Sequence, residues 1–198
     1  PMTYYRQVLS LVEDPSKIAR ERELKNLFEE SPFSKLQDED FISEDILALS
    51  ENILAKTGKG VGAYTESKGY LFVREAVAGF INRRDGFSSG SGLAANPENI
   101  FLTDGASDGA KRILNLLIAK KTDGIMIPIP QYPLYSASVK MYGGVQVNYY
   151  PNEDQDWALG REELENSHAQ AVAEGVNVKA IVVINPGNPT GAILDAAS

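Results

Sequence analysis

From residue 1 to about residue 57 the apolar positions recur at helical spacing, and no stretch alternates as a half-buried strand would. Pro15-Ser16 opens a charged segment that runs as a helix to about Glu30. Ser43-Glu44-Asp45 stands as a cap before Ile46, Leu49, Ile53 and Leu54, which share one side of a second helix. The pattern changes near residue 58. Gly58, Gly60, Gly62 and Gly69 punctuate an irregular loop over 58–69, because glycine readily takes positive φ and favours turns. A helix follows with Val73, Val77, Phe80 and Ile81 at helical spacing and ends near Arg84-Asp85-Gly86. Residues 88–97 read as a flexible surface loop.

Beyond residue 99 the pattern becomes regular. Short apolar runs predict strands over 100–103, 124–128, 145–149 and 180–184, and the segments between them predict helices over 105–121, with Ala106, Ala110, Ile113, Leu114, Leu117 and Ile118 on one face, 132–142 and 161–174. Strands alternating with helices imply right-handed crossovers, so the expected fold class is α/β: a three-layer αβα sandwich with a mainly parallel sheet, preceded by a helical segment. Residues 1–57 are the expected helical N-terminal segment, and 58–198 the α/β part. Four strands leave an unpaired edge, which predicts weak stability or aggregation of this piece alone.

Length and composition narrow the chemistry. The 198 residues suit one large domain, or one with an appendage. Nineteen Lys and Arg against 27 Asp and Glu leave a net charge of -8 with no basic run, which argues against nucleic acid as a partner. The absence of cysteine excludes disulfide scaffolds, thiolate metal sites and cysteine nucleophiles. It suits a reducing compartment without proving one; the sequence leaves the compartment open, with cytoplasm favoured and the mitochondrion as the alternative. The single histidine, His168, falls in a polar stretch read as a solvated helix face, which leaves a histidine triad or zinc site hard to build. No stretch approaches the roughly 20 apolar residues of a membrane span. The opening Pro1-Met2-Thr3 and the end just after a loop motif read as a piece of a longer protein.

In a parallel α/β sheet, ligands sit outside the carboxyl ends of the strands, so the segments after each strand carry the candidate chemistry. Asp104-Gly105-Ala106-Ser107 opens a helix whose first amides lack intrahelical partners, and the Ser107 hydroxyl adds a donor for a phosphate monoester. The plainer alternative is that Asp104 or Ser107 only caps the helix. Gln131-Tyr132-Pro133-Leu134-Tyr135 places aromatics at the second strand's end, where a ring could stack on a planar heteroaromatic ligand or simply cover core. Tyr150-Pro151-Asn152-Glu153 follows the third strand. Asn185-Pro186-Gly187-Asn188-Pro189-Thr190-Gly191 fixes an unusual backbone path that presents the Asn188 amide, a donor suited to a phenolate-like oxygen; the plainer alternative is an elaborate turn and nothing more. Gly58-x-Gly60-x-x-Ala63 imitates a dinucleotide fingerprint but follows a helix rather than a strand. Lys68, in a polar loop without an apolar pocket to depress its pKa, reads as an exposed lysine rather than a nucleophile.

The segments NPGNPTG at 185–191, TDGAS at 103–107, IMIPIPQYPLYSA at 125–137, and GAYTESKG followed by Arg74 at 62–74 closely resemble the alanine aminotransferases. These are a branch of the fold-type-I pyridoxal-phosphate aminotransferases. The likeness runs in order over nearly the whole chain, including YYRQVLSLVEDP near its start. It implies a pyridoxal 5'-phosphate site in which Ala106 and Ser107 hold the phosphate. Tyr132 would stack on the pyridine ring, and Asn188 would hydrogen-bond the 3'-oxygen. Tyr64 would reach across a homodimer interface to the partner's phosphate. It implies transamination between L-alanine and 2-oxoglutarate, giving pyruvate and L-glutamate, with no metal.

The same resemblance places the aspartate for the pyridinium nitrogen, the Schiff-base lysine and the arginine for the substrate carboxylate beyond the asparagine-proline loop. A substrate-contacting glycine segment would lie before residue 1. On that reading residues 1–198 contain no catalytic nucleophile and are inactive alone. Two alternatives share the cofactor residues: another aminotransferase, or a lyase like aminocyclopropane-carboxylate synthase. A third is a catalytically dead binding module.

Overall fold

The computed structural model describes residues 4–29, 41–58, 60–62, 64–87 and 92–194. Lys59 and Ala63 of the glycine-rich loop, and residues 88–91 of the expected surface loop, lie outside them. The chain divides into two compact units between Phe101 and Leu102.

The first unit is helical: α1 (Tyr4–Glu13), α2 (Ser16–Glu29), α3 (Glu44–Lys56) and α4 (Leu71–Asp85). Val8, Leu11 and Val12 of α1 lie on one face and meet Ile18 of α2 and Ile46, Leu47 and Leu54 of α3 in one core. Ser43 occupies the N-cap of α3, but its side chain makes no cap bond; its carbonyl accepts from Ile46 and Leu47. Gly86, at φ 72, closes α4 in the left-handed region that favours glycine. Lys56 Nζ stands 5.2 Å over the Phe72 ring and ties α3 to α4.

Arg74 is the largest buried side chain of this unit, 1% exposed. Its guanidinium donates to the carbonyls of Gly69 (3.1 Å) and Pro97 (2.8 Å) and to the carboxylates of Glu66 (2.7 Å) and Glu98 (3.3 Å). One planar fork thus gathers the glycine-rich loop and the Pro97–Asn99 turn onto α4. Lys68 differs from its expectation as an exposed residue. It is half-buried, with its ammonium bonded to the Glu98 carbonyl (2.9 Å) and carboxylate (3.0 Å) and 5.7 Å from the Phe101 ring. The ion pair and the ring draw in a stem that a polar loop alone would leave in water.

The second unit is α/β. Three parallel strands, β1 (Asp123–Pro128), β2 (Val145–Tyr149) and β3 (Asn177–Ile181), lie in the order β2-β1-β3. All six residues of β1 are buried, as a central strand covered on both faces requires. On one face Ile125 and Ile127 pack with Leu114 and Ile118, from α5 (Ala106–Leu117) and the residue after it, and with Val139 of α6 (Leu134–Met141). On the other, Met126, Val147 and Tyr149 pack with Ala171 of α7 (Arg161–Ala173). The result is an αβα sandwich. The register of β1 against β3 shifts between Gly124 and Ile125. That extra residue lets Val178 join one core and Ala180 the other, two residues apart.

Two strand expectations change. Residues 100–103 form no strand: Ile100 ends the Pro97–Asn99 turn, Phe101 is 66% exposed, and no described segment pairs with them, so the sheet has three strands instead of four. The last strand runs 177–181 rather than 180–184, although Val182 extends its pairing through a bond from its N–H to the Met126 carbonyl (2.9 Å).

Asp123 opens β1 with its side chain 1% exposed. Its carboxylate accepts from the amides of Ala119 (2.9 Å) and Lys120 (2.8 Å) and from Asn177 Nδ2 (2.9 Å). Burial pushes its pKa up, but the Lys120 amide, Asn177, the Ala119 amide and the Lys179 ammonium together outweigh burial and hold it below the ordinary value. A depressed carboxyl pKa contributes stability that is complete above the unfolded value, about 4, and is lost as pH falls through the folded value. Asp123→Asn is therefore expected to be less stable than wild type at pH 7 and to lose less on acidification below about pH 4. Urea unfolding midpoints from pH 7 to 3 check this, and parallel curves would contradict it.

Candidate functional site

Because the strands are parallel, the carboxyl ends of β1, β2 and β3 emerge along one edge, and the candidate segments after them start from it. β1 leaves through Ile129, whose amide donates to the Tyr149 carbonyl (2.9 Å), and continues into Pro130, Gln131 and Tyr132. Tyr132 is 50% exposed and lines a shallow cavity with Lys111 of α5 and Leu134, Ala137 and Met141 of α6. Its ring is available to a ligand instead of filling core. Beside it, Gln131 Oε1 is buried without a hydrogen-bond partner among the described residues.

The start of α5 has the form of an anion site. Gly105, its N-cap, sits at φ 85 and ψ 170, a conformation close to glycine-only, and makes no side-chain cap. The amides of Ala106, Ser107 and Asp108 have no intrahelical acceptor, and Ala106 and Ser107 are exposed. The capping alternative for Asp104 or Ser107 is not what the structure holds. Asp108 instead reaches back to accept from the Asp104 amide (3.3 Å) while Arg112 Nε donates to it (2.8 Å). The hydrogen bond from Arg112 holds the Asp108 carboxyl below its usual range. The strand expected before this helix is absent, so what this terminus offers is the helix dipole and its open amides.

β3 leads through Val182, Val183 and Ile184 into the asparagine-proline loop. Gly187 donates to the Ala192 carbonyl (2.7 Å), Gly191 to the Gly187 carbonyl (2.8 Å), and the Leu194 amide to Asn185 Oδ1 (3.1 Å). A Cβ at Gly187 would collide with Thr190 Oγ1. The loop is thus a closed knot with the Asn188 side chain exposed on it. It lines an apolar cavity together with Pro130, Tyr149, Trp157 and Leu159, and among the described residues no lysine lines it. Trp157 takes φ 64, unusual for a bulky residue, in the turn between Asn152 and Ala158.

Four of the sequence-predicted residues, Ala106, Ser107, Tyr132 and Asn188, belong to the α/β unit, with Tyr132 and Asn188 at the ends of adjacent strands. They are not gathered into one cavity: Tyr132 shares its cavity with α5 and α6, and Asn188 lines another. Tyr64 belongs to the first unit and is fully exposed. His168 is exposed on α7, as its polar surroundings imply. Sequence reasoning missed Asp108, Gln131 and Tyr149. Asp108 was legible as an acid at the third position of a helix, whereas the other two depend on burial that spacing does not reveal.

A family profile described as aminotransferase class I and II matches residues 35–198. The chain belongs to the class I and II aminotransferases. It is 45% identical over all 198 residues to a probable alanine aminotransferase, mitochondrial, of Dictyostelium discoideum, covering 33% of that protein. It is 42% identical over 198 residues to glutamate–glyoxylate aminotransferase 2 of Arabidopsis thaliana, covering 37%. Among solved structures it matches an alanine aminotransferase from Pyrococcus furiosus at TM-score 0.57 and 28% identity, over 75% of this chain and 35% of that one. The chain thus spans about a third of the length of these relatives.

Aminotransferases of this family use pyridoxal 5'-phosphate, and the donor set here fits it in kind. The open amides and hydroxyl at α5 suit a phosphate. The half-exposed Tyr132 ring suits a pyridine, and the Asn188 amide suits a phenolic oxygen. Since Gly105 has open space around a would-be Cβ, the cost of Gly105→Ala is that of its backbone conformation, about 1–3 kcal/mol. This substitution is expected to lower thermal stability and weaken phosphate binding together. Calorimetric unfolding and titration with pyridoxal 5'-phosphate check both, and an unchanged Tm would contradict the assigned conformation.

Proposed function

We propose that the protein exchanges an amino group between L-alanine and 2-oxoglutarate, giving pyruvate and L-glutamate, and that residues 58–198 supply the phosphate, ring and 3'-oxygen contacts of its cofactor. The observation that carries the reading is the placement of the Asn188 knot at the end of β3, beside the strand whose end carries Tyr132. The name of the Dictyostelium relative supports alanine as amino donor.

When bound, pyridoxal 5'-phosphate supplies the electron sink for the exchange. This chain's residues hold and orient it. The Ala106 and Ser107 amides with the Ser107 hydroxyl hold the phosphate dianion at the positive end of α5. Tyr132 would stack on the ring, and Asn188 Nδ2 would donate to the 3'-oxygen, stabilising its negative charge. Tyr64, exposed on the first unit, reaches the phosphate of a second copy in a homodimer. No residue of this chain is assigned the nucleophile. Among the described residues no helix is long and apolar enough to cross a membrane. The mitochondrial name of the Dictyostelium relative supports the mitochondrion as the compartment to test beside the cytoplasm.

A second reading, glyoxylate as amino acceptor, is favoured by the name of the Arabidopsis relative. Assay of the full-length protein containing residues 1–198 separates the two. L-alanine with 2-oxoglutarate is expected to give pyruvate and glutamate in equal amounts, and Ser107→Ala to weaken cofactor binding about tenfold. Turnover with L-glutamate and glyoxylate but not with L-alanine and 2-oxoglutarate would transfer the assignment to the second reading, and turnover with neither pair would contradict both.

A further inference from the structure

We propose that Tyr149 is a positioning residue for the asparagine-proline loop: from the end of β2 its hydroxyl holds the main chain leaving β3, and through it the Asn188 amide assigned to the cofactor. The inference rests on the cofactor reading above. β2 and β3 are not neighbours, because β1 lies between them. The Tyr149 side chain, 2% exposed, spans that gap, and its hydroxyl donates to the Val182 carbonyl at 2.6 Å. Its own carbonyl accepts from Ile129 (2.9 Å), so one residue ties both exits, the one leading to Tyr132 and the one leading to Asn188.

Val182 lies just past the last residue of β3 and six residues before Asn188, with only Val183 and Ile184 between it and the knot closed by Asn185. Tyr149, Val183, Ile184, Gly187 and Asn188 line the same cavity. Burial pushes the Tyr149 phenol up to about 12, so it remains a donor throughout the neutral range. A strand exit anchored on one side only would leave the loop free to rotate about Val182, and a displacement of about 1 Å is enough to degrade an aligned hydrogen bond. Tyr150 is exposed and serves as an internal control.

The test uses the full-length protein containing residues 1–198 and the variants Y149F, Y150F and N188A, with I127V as a core-destabilised control. In the cofactor-free protein, hydrogen exchange over residues 182–194 is expected to rise about 3- to 10-fold in Y149F and to stay at the wild-type rate in Y150F and I127V. Titration with pyridoxal 5'-phosphate is expected to show a similar loss of affinity in Y149F. The pH midpoint of the bound cofactor's absorbance is expected to move in the same direction as in N188A, and the double variant Y149F/N188A to bind no worse than N188A. Wild-type binding with Y149F unchanged in exchange, affinity and midpoint would overturn the inference and leave the cofactor reading standing. Failure of the wild type to bind would overturn both.

Discussion

β1 is buried along its whole length, so both of its hydrogen-bonding edges must be paired and both of its faces covered. β2 takes one edge and β3 the other, each parallel to it, while α5 and α6 cover one face and α7 the second. Because all three strands point the same way, their exits lie side by side, and among the described residues the segments after them join no further strand. Asp123 fixes the opposite end of β1 by accepting from two amides and from Asn177, so the strand is anchored at its start.

That edge carries donors of different kinds because each exit is stiffened differently. The β1 exit is held by the Ile129–Tyr149 bond. The β3 exit is held by the Tyr149 hydroxyl and then by a loop in which Gly187 leaves no room for a side chain. The α5 terminus depends on the backbone of Gly105 and on Asp108 turning back to the preceding amide, which keeps the Ala106 and Ser107 donors uncovered. In the helical unit Arg74 does comparable work, gathering four oxygens onto one guanidinium and fixing the loop residues around Glu66 two positions from Tyr64.

Much of this was legible in the sequence. The helices over 44–56, 71–85 and 106–117 follow apolar spacing, the one over 16–29 follows a charged run opened by Pro15-Ser16, and the parallel sheet follows from alternation of strands and helices. Residues 100–103 have strand-like composition, but a strand needs a partner edge, which local pattern cannot supply. β3 begins before its most apolar stretch, because its register is decided by the bulge against Gly124 and Ile125 and by Asn177 on Asp123. At the site, Ala106, Ser107, Tyr132 and Asn188 could be singled out from residue types at strand ends. Tyr149 could not, since its importance comes from spanning β1, a relation between strands that are distant in sequence. Lys68 misled for the same reason: its partner Glu98 lies thirty residues away.

The central claim is that the donors along this edge form one cofactor site. A crystal structure of the full-length protein soaked with pyridoxal 5'-phosphate tests it most directly. The account predicts the phosphate on the Ala106 and Ser107 amides, the ring against Tyr132 and the 3'-oxygen within hydrogen-bond distance of Asn188 Nδ2. A cofactor bound with its phosphate away from the start of α5, or with Asn188 turned to solvent, would contradict it.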